Sequence, residues 1–248
     1  HEDRSPEWNR GAYLVEALGH CGDCHTPRNL GQALDNRRKF AGTSFSGWRI
    51  YNITPDPVSG IGSWSDDELA EYLRSGHAAG HGSAGGPMAE EVAASSSNLT
   101  RGDLHAMATY LRSIPAIHTR DLPAVKTEPA SDSPKLTQTG VDPRGREIFE
   151  GACASCHGWS GVSLVTSSAT LTGNRAVNDR SAMNVVQIVL AGERTRTADG
   201  LVLMPAFAEA YSDTEIAAVA NYVTARFGAA PSRLTAKDVA RLRQLSSN

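Results

Sequence analysis

Apolar positions along this chain recur at helical spacing in short blocks, separated by polar stretches rich in Gly and Pro. Leu104, Met107 and Leu111 share one face of a predicted helix over Leu104–Arg112, and Val186, Val189 and Leu190 share one over Met183–Ala191. Start signals support two more helices, Asp66–Ser75 and Glu215–Arg226. Ser65 stands three residues before Glu68 and Ser212 three before Glu215, the S-x-x-E capping box, and Thr100 stands three before Asp103. These elements repeat. Each half of the chain has a short amphipathic segment (Glu7–Leu18, Gly145–Gly151), a helix, a glycine (Gly76, Gly192), a loop, a methionine (Met88, Met204) and a final helix. The interval from glycine to methionine is 12 residues in both halves. Equal spacing between halves of different sequence predicts one fold used twice. Gly11 and Gly145 on the first segments, with Tyr110 and Tyr222 at matching places on the last helices, predict that first and last helix cross closely in each unit.

The halves differ by an insertion of 16 residues within Arg28–Trp64, where Gly47, Pro55, Pro57, Gly60 and Gly62 predict loops with one short ribbon. Between the units, Pro115–Pro143 holds five prolines among Thr, Ser and Asp, a composition for an extended, semi-rigid connector. After Phe227, Leu234–Leu245 shows a short helical pattern with Val239, Leu242 and Leu245 as its apolar positions. These are too few for a membrane anchor and predict docking on the tail's own unit. The expected boundaries are 1–116 and 142–230 for the two units, 117–141 for the linker and 231–248 for the tail.

All four cysteines fall into two copies of CxxCH: Cys21-Gly22-Asp23-Cys24-His25 and Cys153-Ala154-Ser155-Cys156-His157. Chance at this composition gives about 0.002 such motifs over the chain. CxxCH attaches c-type haem. Two thiols on one turn add across the porphyrin vinyl groups, which holds the following histidine beneath the iron as its proximal ligand. A thioredoxin-like CxxC needs a βαβ setting and no histidine. A four-thiolate zinc site favours knuckles closer than these, and two vicinal disulfides would close loops too small to stabilise much. The expected cofactors are therefore two covalent haem c groups, on Cys21, Cys24, Cys153 and Cys156, with His25 and His157 as proximal ligands. The expected fold is all-α: two tandem class I-type cytochrome c domains with a long loop insertion in the first.

For the sixth ligand, the second unit has no histidine besides His157. Met204, in Leu203-Met204-Pro205, is favoured over Met183, which lies on an apolar helical stripe. In the first unit Met88, after Gly85-Gly86-Pro87, is favoured over His77 and His81 of the same loop, because proline stiffens a loop that must present a thioether. Met107 reads as core, His20 is constrained by its neighbour Cys21, and His105 and His118 read as surface. Thioether favours Fe(II) and raises the reduction potential.

Composition narrows the class. The 248 residues are 40% hydrophobic and 21% charged with a net charge of −3, and no apolar run reaches 18 residues. That excludes a membrane-spanning segment and argues against nucleic acid as a partner. Two haems with their propionates would bring the net charge to about −7. Arg49 beside Trp48, and Arg37-Arg38-Lys39, are candidate propionate partners or a docking patch, with solvated surface as the ordinary fate of each. Only 15 residues are aromatic; two porphyrins would supply the missing flat apolar bulk. Covalent haem attachment implies a periplasmic location in a bacterium. A chain that begins at His1, with no signal-peptide core, reads as a processed form or an expressed fragment.

The sequence resembles the cytochrome subunits of membrane-associated bacterial dehydrogenases, quinoprotein or flavoprotein, that oxidise alcohols, aldehydes or sugar acids. The resemblance runs through Trp8-Asn9-Arg10-Gly11-Ala12-Tyr13-Leu14, Cys21 to Asn29, Asn52-Ile53-Thr54-Pro55-Asp56, Gly60 to Ser65, Gly86 to Glu90 and Tyr110 to Ser113. In the second unit it runs through the CASCH motif and Leu203 to Phe207. It implies Met88 and Met204 as axial ligands. It also implies an electron relay from a PQQ-, flavin- or molybdenum-type catalytic subunit to quinone, an oxidase or another cytochrome, at the outer face of the inner membrane with peripheral association. Such subunits carry three haem domains; this chain matches the second and third, so it is either a piece of such a subunit or a two-haem relative. The expected function is electron transfer without catalysis. The alternative, a two-haem enzyme such as a peroxidase, needs an open or His-ligated iron and distal acid–base groups.

Overall fold

The computed structural model describes residues 2–131, 142–197 and 200–246. The chain divides into two compact units. The described residues of the first fall within His1–Ala78, Pro87–Arg120 and Thr195–Leu201, and those of the second within Ala79–Gly86, Asp121–Arg194 and Val202–Asn248. One cut in the linker therefore does not separate them.

In the first unit, α1 (Pro6–Tyr13) starts where Ser5 accepts from the Trp8 amide and Pro6 occupies the first turn, where its missing N–H is not needed. It continues into a π-helical turn, Leu14–Leu18, and after Gly19 and His20 comes α2 (Gly22–His25), which carries the first cysteine motif. The insertion contains a ribbon, β1 (Thr43–Phe45) antiparallel to β2 (Trp48–Ile50) with Ser44 opposite Arg49. Then come α3 (Asp66–Ser75), the two-residue strand β3 (His77–Ala78), α4 (Pro87–Ala94) and α5 (Arg101–Ser113). The capping box at Ser65 and Glu68 is formed in both directions, and Gly76 ends α3 in the left-handed conformation at φ 76°. α1 and α5 cross at Gly11, where a Cβ would drive into the Ala106 carbonyl and come within 2.9 Å of Tyr110 Cβ. Trp8 packs edge-on against Tyr110 at 5.2 Å and its Nε1 donates to Ser113 Oγ at 2.6 Å. Leu14, Val15, Phe40, Leu69, Leu104, Met107 and Leu111 form the core.

The second unit repeats this plan. The short strand β4 (Gly82–Ser83) belongs to it. Asp142 caps α6 (Pro143–Ile148), again with proline in the first turn; a π-helical turn, Phe149–Cys153, leads into α7 (Ala154–His157) with the second motif. α8 (Met183–Ala191), α9 (Asp213–Phe227) and α10 (Ala236–Ser246) follow; between α8 and α9 the paired strands β5 (Glu193–Thr197) and β6 (Gly200–Met204) begin and end in this unit, while their residues within Thr195–Leu201 fall in the first. A Cβ on Gly145 would meet the Ala218 carbonyl carbon at 2.6 Å and Tyr222 Cβ at 3.1 Å, so α6 crosses α9 as α1 crosses α5. The second capping box, Ser212 with Glu215, is also formed in both directions. Gly192, at φ 71°, lies where a Cβ would come within 2.5 Å of the Met204 carbonyl and 2.7 Å of the Ala206 amide. In this unit the glycine ends a helix and lets the methionine segment pass against it.

Four expectations change. The chain is not all-α, because β1–β6 are present, though all are short. Met88 lies in the first turn of α4, which the glycines and serines around it concealed, and not in a loop. In the expected linker 117–141, residues 132–141 lie outside the described residues and the rest is fastened down. The Ile117 carbonyl accepts from Asn52 Nδ2 at 2.6 Å and the Thr119 amide donates to Ser59 Oγ at 2.8 Å, while the Lys126 amide donates to Asn178 Oδ1 at 2.9 Å. The tail does dock on its own unit through Val239 and Leu242, both buried, but Leu245 is 44% exposed.

Filling the α6–α9 crossing is expected to overpack it. Gly145→Val should cost the folded protein about 1–3 kcal/mol or more, read as a lower thermal midpoint of the purified protein; an unchanged midpoint would mean the helices do not cross there.

Candidate functional site

In each unit one turn of helix gathers the three residues of its motif. Cys21 caps α2 and Cys24 and His25 lie within it; Cys153 caps α7 and Cys156 and His157 lie within it. Cys24 and Cys156 are exposed, Cys21 and Cys153 half-buried, and none of the four is in a disulfide. Burial pushes the Cys21 thiol up to about 12, with the carboxylates of Glu91 and Glu16 adding to it, and the Cys153 thiol up to about 11. Among the described residues no group of three His, Cys, Asp or Glu could hold a metal ion, so the zinc alternative finds no support.

The two imidazoles are fixed in the same way. His25 Nδ1 lies 2.7 Å from the Tyr51 carbonyl and His157 Nδ1 lies 2.6 Å from the Ala169 carbonyl. A carbonyl only accepts, so Nδ1 carries the proton and Nε2 keeps its lone pair for a ligand. Burial holds both imidazoles below the usual histidine range, which favours that neutral form over the imidazolium. A metal-binding histidine needs this tautomer and this outer partner. The donor set fits a haem in each unit: two thiols on one turn and a neutral imidazole locked by a backbone carbonyl.

Different elements supply the two carbonyls. In the first unit Tyr51 follows β2 and is held by its neighbour Asn52, 3% exposed, whose Nδ2 donates to the Ile117 carbonyl, Thr119 Oγ1 (3.1 Å) and Ser59 Oγ (3.2 Å) and whose Oδ1 accepts from the Thr54 amide at 2.8 Å. Asp56 closes the same loop, accepting from the Ser59 amide at 2.6 Å and hydroxyl at 2.8 Å. These bonds and His118 at 3.3 Å hold its carboxyl below the usual range against the opposing effect of burial. In the second unit Ala169 ends a short 3-10 turn, Ser167–Ala169.

Met88 shares the first unit with His25, and Met204 at the end of β6 shares the second with His157; both side chains are half-buried. Met107 is buried in the first core, and Met183 packs against the cluster around Val186 and Leu190. Of the rival histidines, His77 lies in the first unit, while His81 belongs to the second unit's segment 79–86. His20 and His118 are exposed; His105 is half-buried beside Asp67 at 3.4 Å. Arg37 pairs with Asp35 at 3.1 Å, with its side chain 88% exposed, and Lys39 pairs with Glu16 at 2.6 Å. The residues that sequence reasoning missed are Tyr51, Ala169 and Asn52. The first two act through backbone carbonyls, which leave no mark in side-chain identity.

Residues 141–223 match the family described as cytochrome c oxidase, cbb3-type, subunit III. Over 96% of its length the chain is 36% identical to the fructose dehydrogenase cytochrome subunit of Gluconobacter japonicus and 34% identical to the gluconate 2-dehydrogenase cytochrome c subunit of Pantoea cypripedii. It covers 52% and 56% of those two proteins, about half their length. Over 46% of its length it is 47% identical to a diheme cytochrome c-type protein of Cereibacter sphaeroides, of which it covers 38%.

Asn52→Ala should destabilise the protein by roughly 1–3 kcal/mol, because it strands buried partners on Ile117, Thr119 and Ser59. Denaturant titration of the haem-loaded protein checks this; a midpoint within error of the parent would remove Asn52 from the support of Tyr51.

Proposed function

We propose that this chain, which carries a cytochrome c domain and whose homologues over most of its length are dehydrogenase cytochrome subunits, is a dihaem electron carrier. It consists of two class I-type cytochrome c domains, each with one covalent haem c. It passes single electrons from a partner dehydrogenase to the respiratory chain, with quinone, an oxidase or another cytochrome as acceptor. The observation that carries the reading is the duplicated motif with its duplicated anchor, His25 on Tyr51 and His157 on Ala169.

The haem, when bound, supplies a one-electron Fe(III)/Fe(II) couple. The chain does the rest. Cys21 with Cys24, and Cys153 with Cys156, would hold the macrocycle through thioethers, and His25 and His157, with Nδ1 bound to a carbonyl, would offer Nε2 to the iron. Met88 and Met204 would supply the second ligand of each iron, and a thioether there would keep exogenous ligands out and favour the reduced state. The donor is a dehydrogenase catalytic subunit of the PQQ, flavin or molybdenum type, and the location is periplasmic, at the outer face of the inner membrane. Among the described residues no helix is long and apolar enough to cross a membrane.

With both irons closed, carbon monoxide should leave most of the ferrous low-spin spectrum unchanged; rapid stoichiometric binding at either iron would favour a two-haem enzyme such as a peroxidase. Met204→Ala and Met88→Ala should each turn one haem high-spin and lower its potential, whereas Met183→Ala should not. A high-spin Met183→Ala spectrum would reassign the ligand.

A further inference from the structure

Arg226, in the last turn of α9, is 4% exposed. Its Nε and Nη2 donate to the Trp159 carbonyl at 3.2 and 2.8 Å, and Nη2 also donates to the Ser131 carbonyl at 2.7 Å. The Phe227 ring lies 5.4 Å from its Cζ. Among the described residues no carboxylate forms an ion pair with it, and Lys126 Nζ donates to its backbone carbonyl at 3.2 Å. A guanidinium stays charged in a protein, and burying one without a counter-ion is costly. Among the described residues carbonyl dipoles, and no carboxylate, hold this one in place.

Its position relates to the second motif. Trp159 is two residues beyond His157, at the start of the loop that returns to the Ala169 carbonyl on His157 Nδ1. The start of that loop is fastened to the rest of the unit: the Ser160 carbonyl accepts from the Ala130 amide at 2.9 Å and the Gly161 carbonyl from the Leu171 amide at 2.8 Å. Arg226 thus fixes a guanidinium on the carbonyl of Trp159, two residues after the histidine of the second motif. The repeat supplies the comparison. Arg226 stands one helical turn after Tyr222; the residue one turn after Tyr110 is Ile114, packed against the first core. In the first unit the residue after the proximal histidine, Thr26, holds its loop with a neutral bond, its Oγ1 accepting from the Phe40 amide at 3.1 Å.

We propose that Arg226 sets the two centres apart: its buried charge raises the reduction potential of the haem on His157 above what the same ligands would give without it. The inference rests on the reading that His157 carries a haem. A fixed positive charge in a medium of low dielectric stabilises the state with one more electron, and no bond or proton need change.

The test is a spectroscopically monitored potentiometric titration of the purified haem-loaded protein, parent against Arg226→Gln and Arg226→Lys. Arg226→Gln should lower the midpoint of one haem and leave the other in place, with the low-spin spectrum kept; Arg226→Lys, which keeps the charge and loses the fork, should hold the parent midpoint while melting earlier. Unmoved midpoints in Arg226→Gln, or equal shifts in both variants, would overturn the proposal. If Arg226→Gln does not load haem, Arg226→Lys decides alone: a midpoint that falls together with its stability overturns it. A protein whose second motif carries no haem in any variant would instead contradict the dihaem reading.

Discussion

A proximal histidine works only if its Nδ1 proton has somewhere to go. An imidazole free to flip or to protonate would present N–H to the metal position or carry a charge that repels it. In each unit a single backbone carbonyl removes that freedom, Tyr51 for His25 and Ala169 for His157. The sequence separations differ, 26 and 12 residues, and much of the difference between the units follows from how each delivers its carbonyl. In the first unit the insertion does so, with a ribbon and then the loop in which Asn52, Thr54, Asp56 and Ser59 bond to one another and to residues 117–119. The second uses a short uncharged loop with Trp159, Ser160 and Gly161 held at its start by Arg226, Ala130 and Leu171.

The frame behind both sites is a helix crossing that admits no side chain. At Gly11 and at Gly145 the last helix of the unit passes so close that a methyl group would meet a carbonyl, and Tyr110 and Tyr222 pack beside the gap. The tyrosines then diverge. The Tyr110 hydroxyl donates to Glu16, which Lys39 also engages, and burial together with that bond raises the phenol. In the second unit Glu150, five residues after its glycine as Glu16 is after Gly11, pairs with Arg146 at 2.6 Å. One backbone plan therefore carries two electrostatic settings, and the two haems proposed here, even with identical ligands, need not share a potential.

Much of this was legible in the sequence, for reasons that differ by feature. The helices over Asp66–Ser75 and Met183–Ala191 have the predicted ends, because the capping Ser65 of the first and the glycines that end both, Gly76 and Gly192, are local signals. The crossing was readable because a glycine facing a tyrosine recurs in two unlike halves. The π-helical turns before Cys21 and Cys153 carry no composition signal, since they alter hydrogen-bond register and not residue type. α4 was hidden because helix propensity in Pro87–Ala94 is flanked by Gly85, Gly86 and three serines that read as loop. The carbonyls of Tyr51 and Ala169 could not be found at all, because a backbone oxygen has the same identity at every position. Nothing in the sequence sets Arg226 apart from any other charge at a helix end; its 4% exposure does.

The proposal of two closed, one-electron centres in one chain has a countable consequence. Coulometric reduction of the purified, haem-loaded protein, followed by its absorption spectrum, should take up two electrons per chain in one-electron steps, with low-spin spectra at both ends of the titration. A single electron per chain, or a high-spin centre in the untreated protein, would contradict the dihaem assignment with both irons closed.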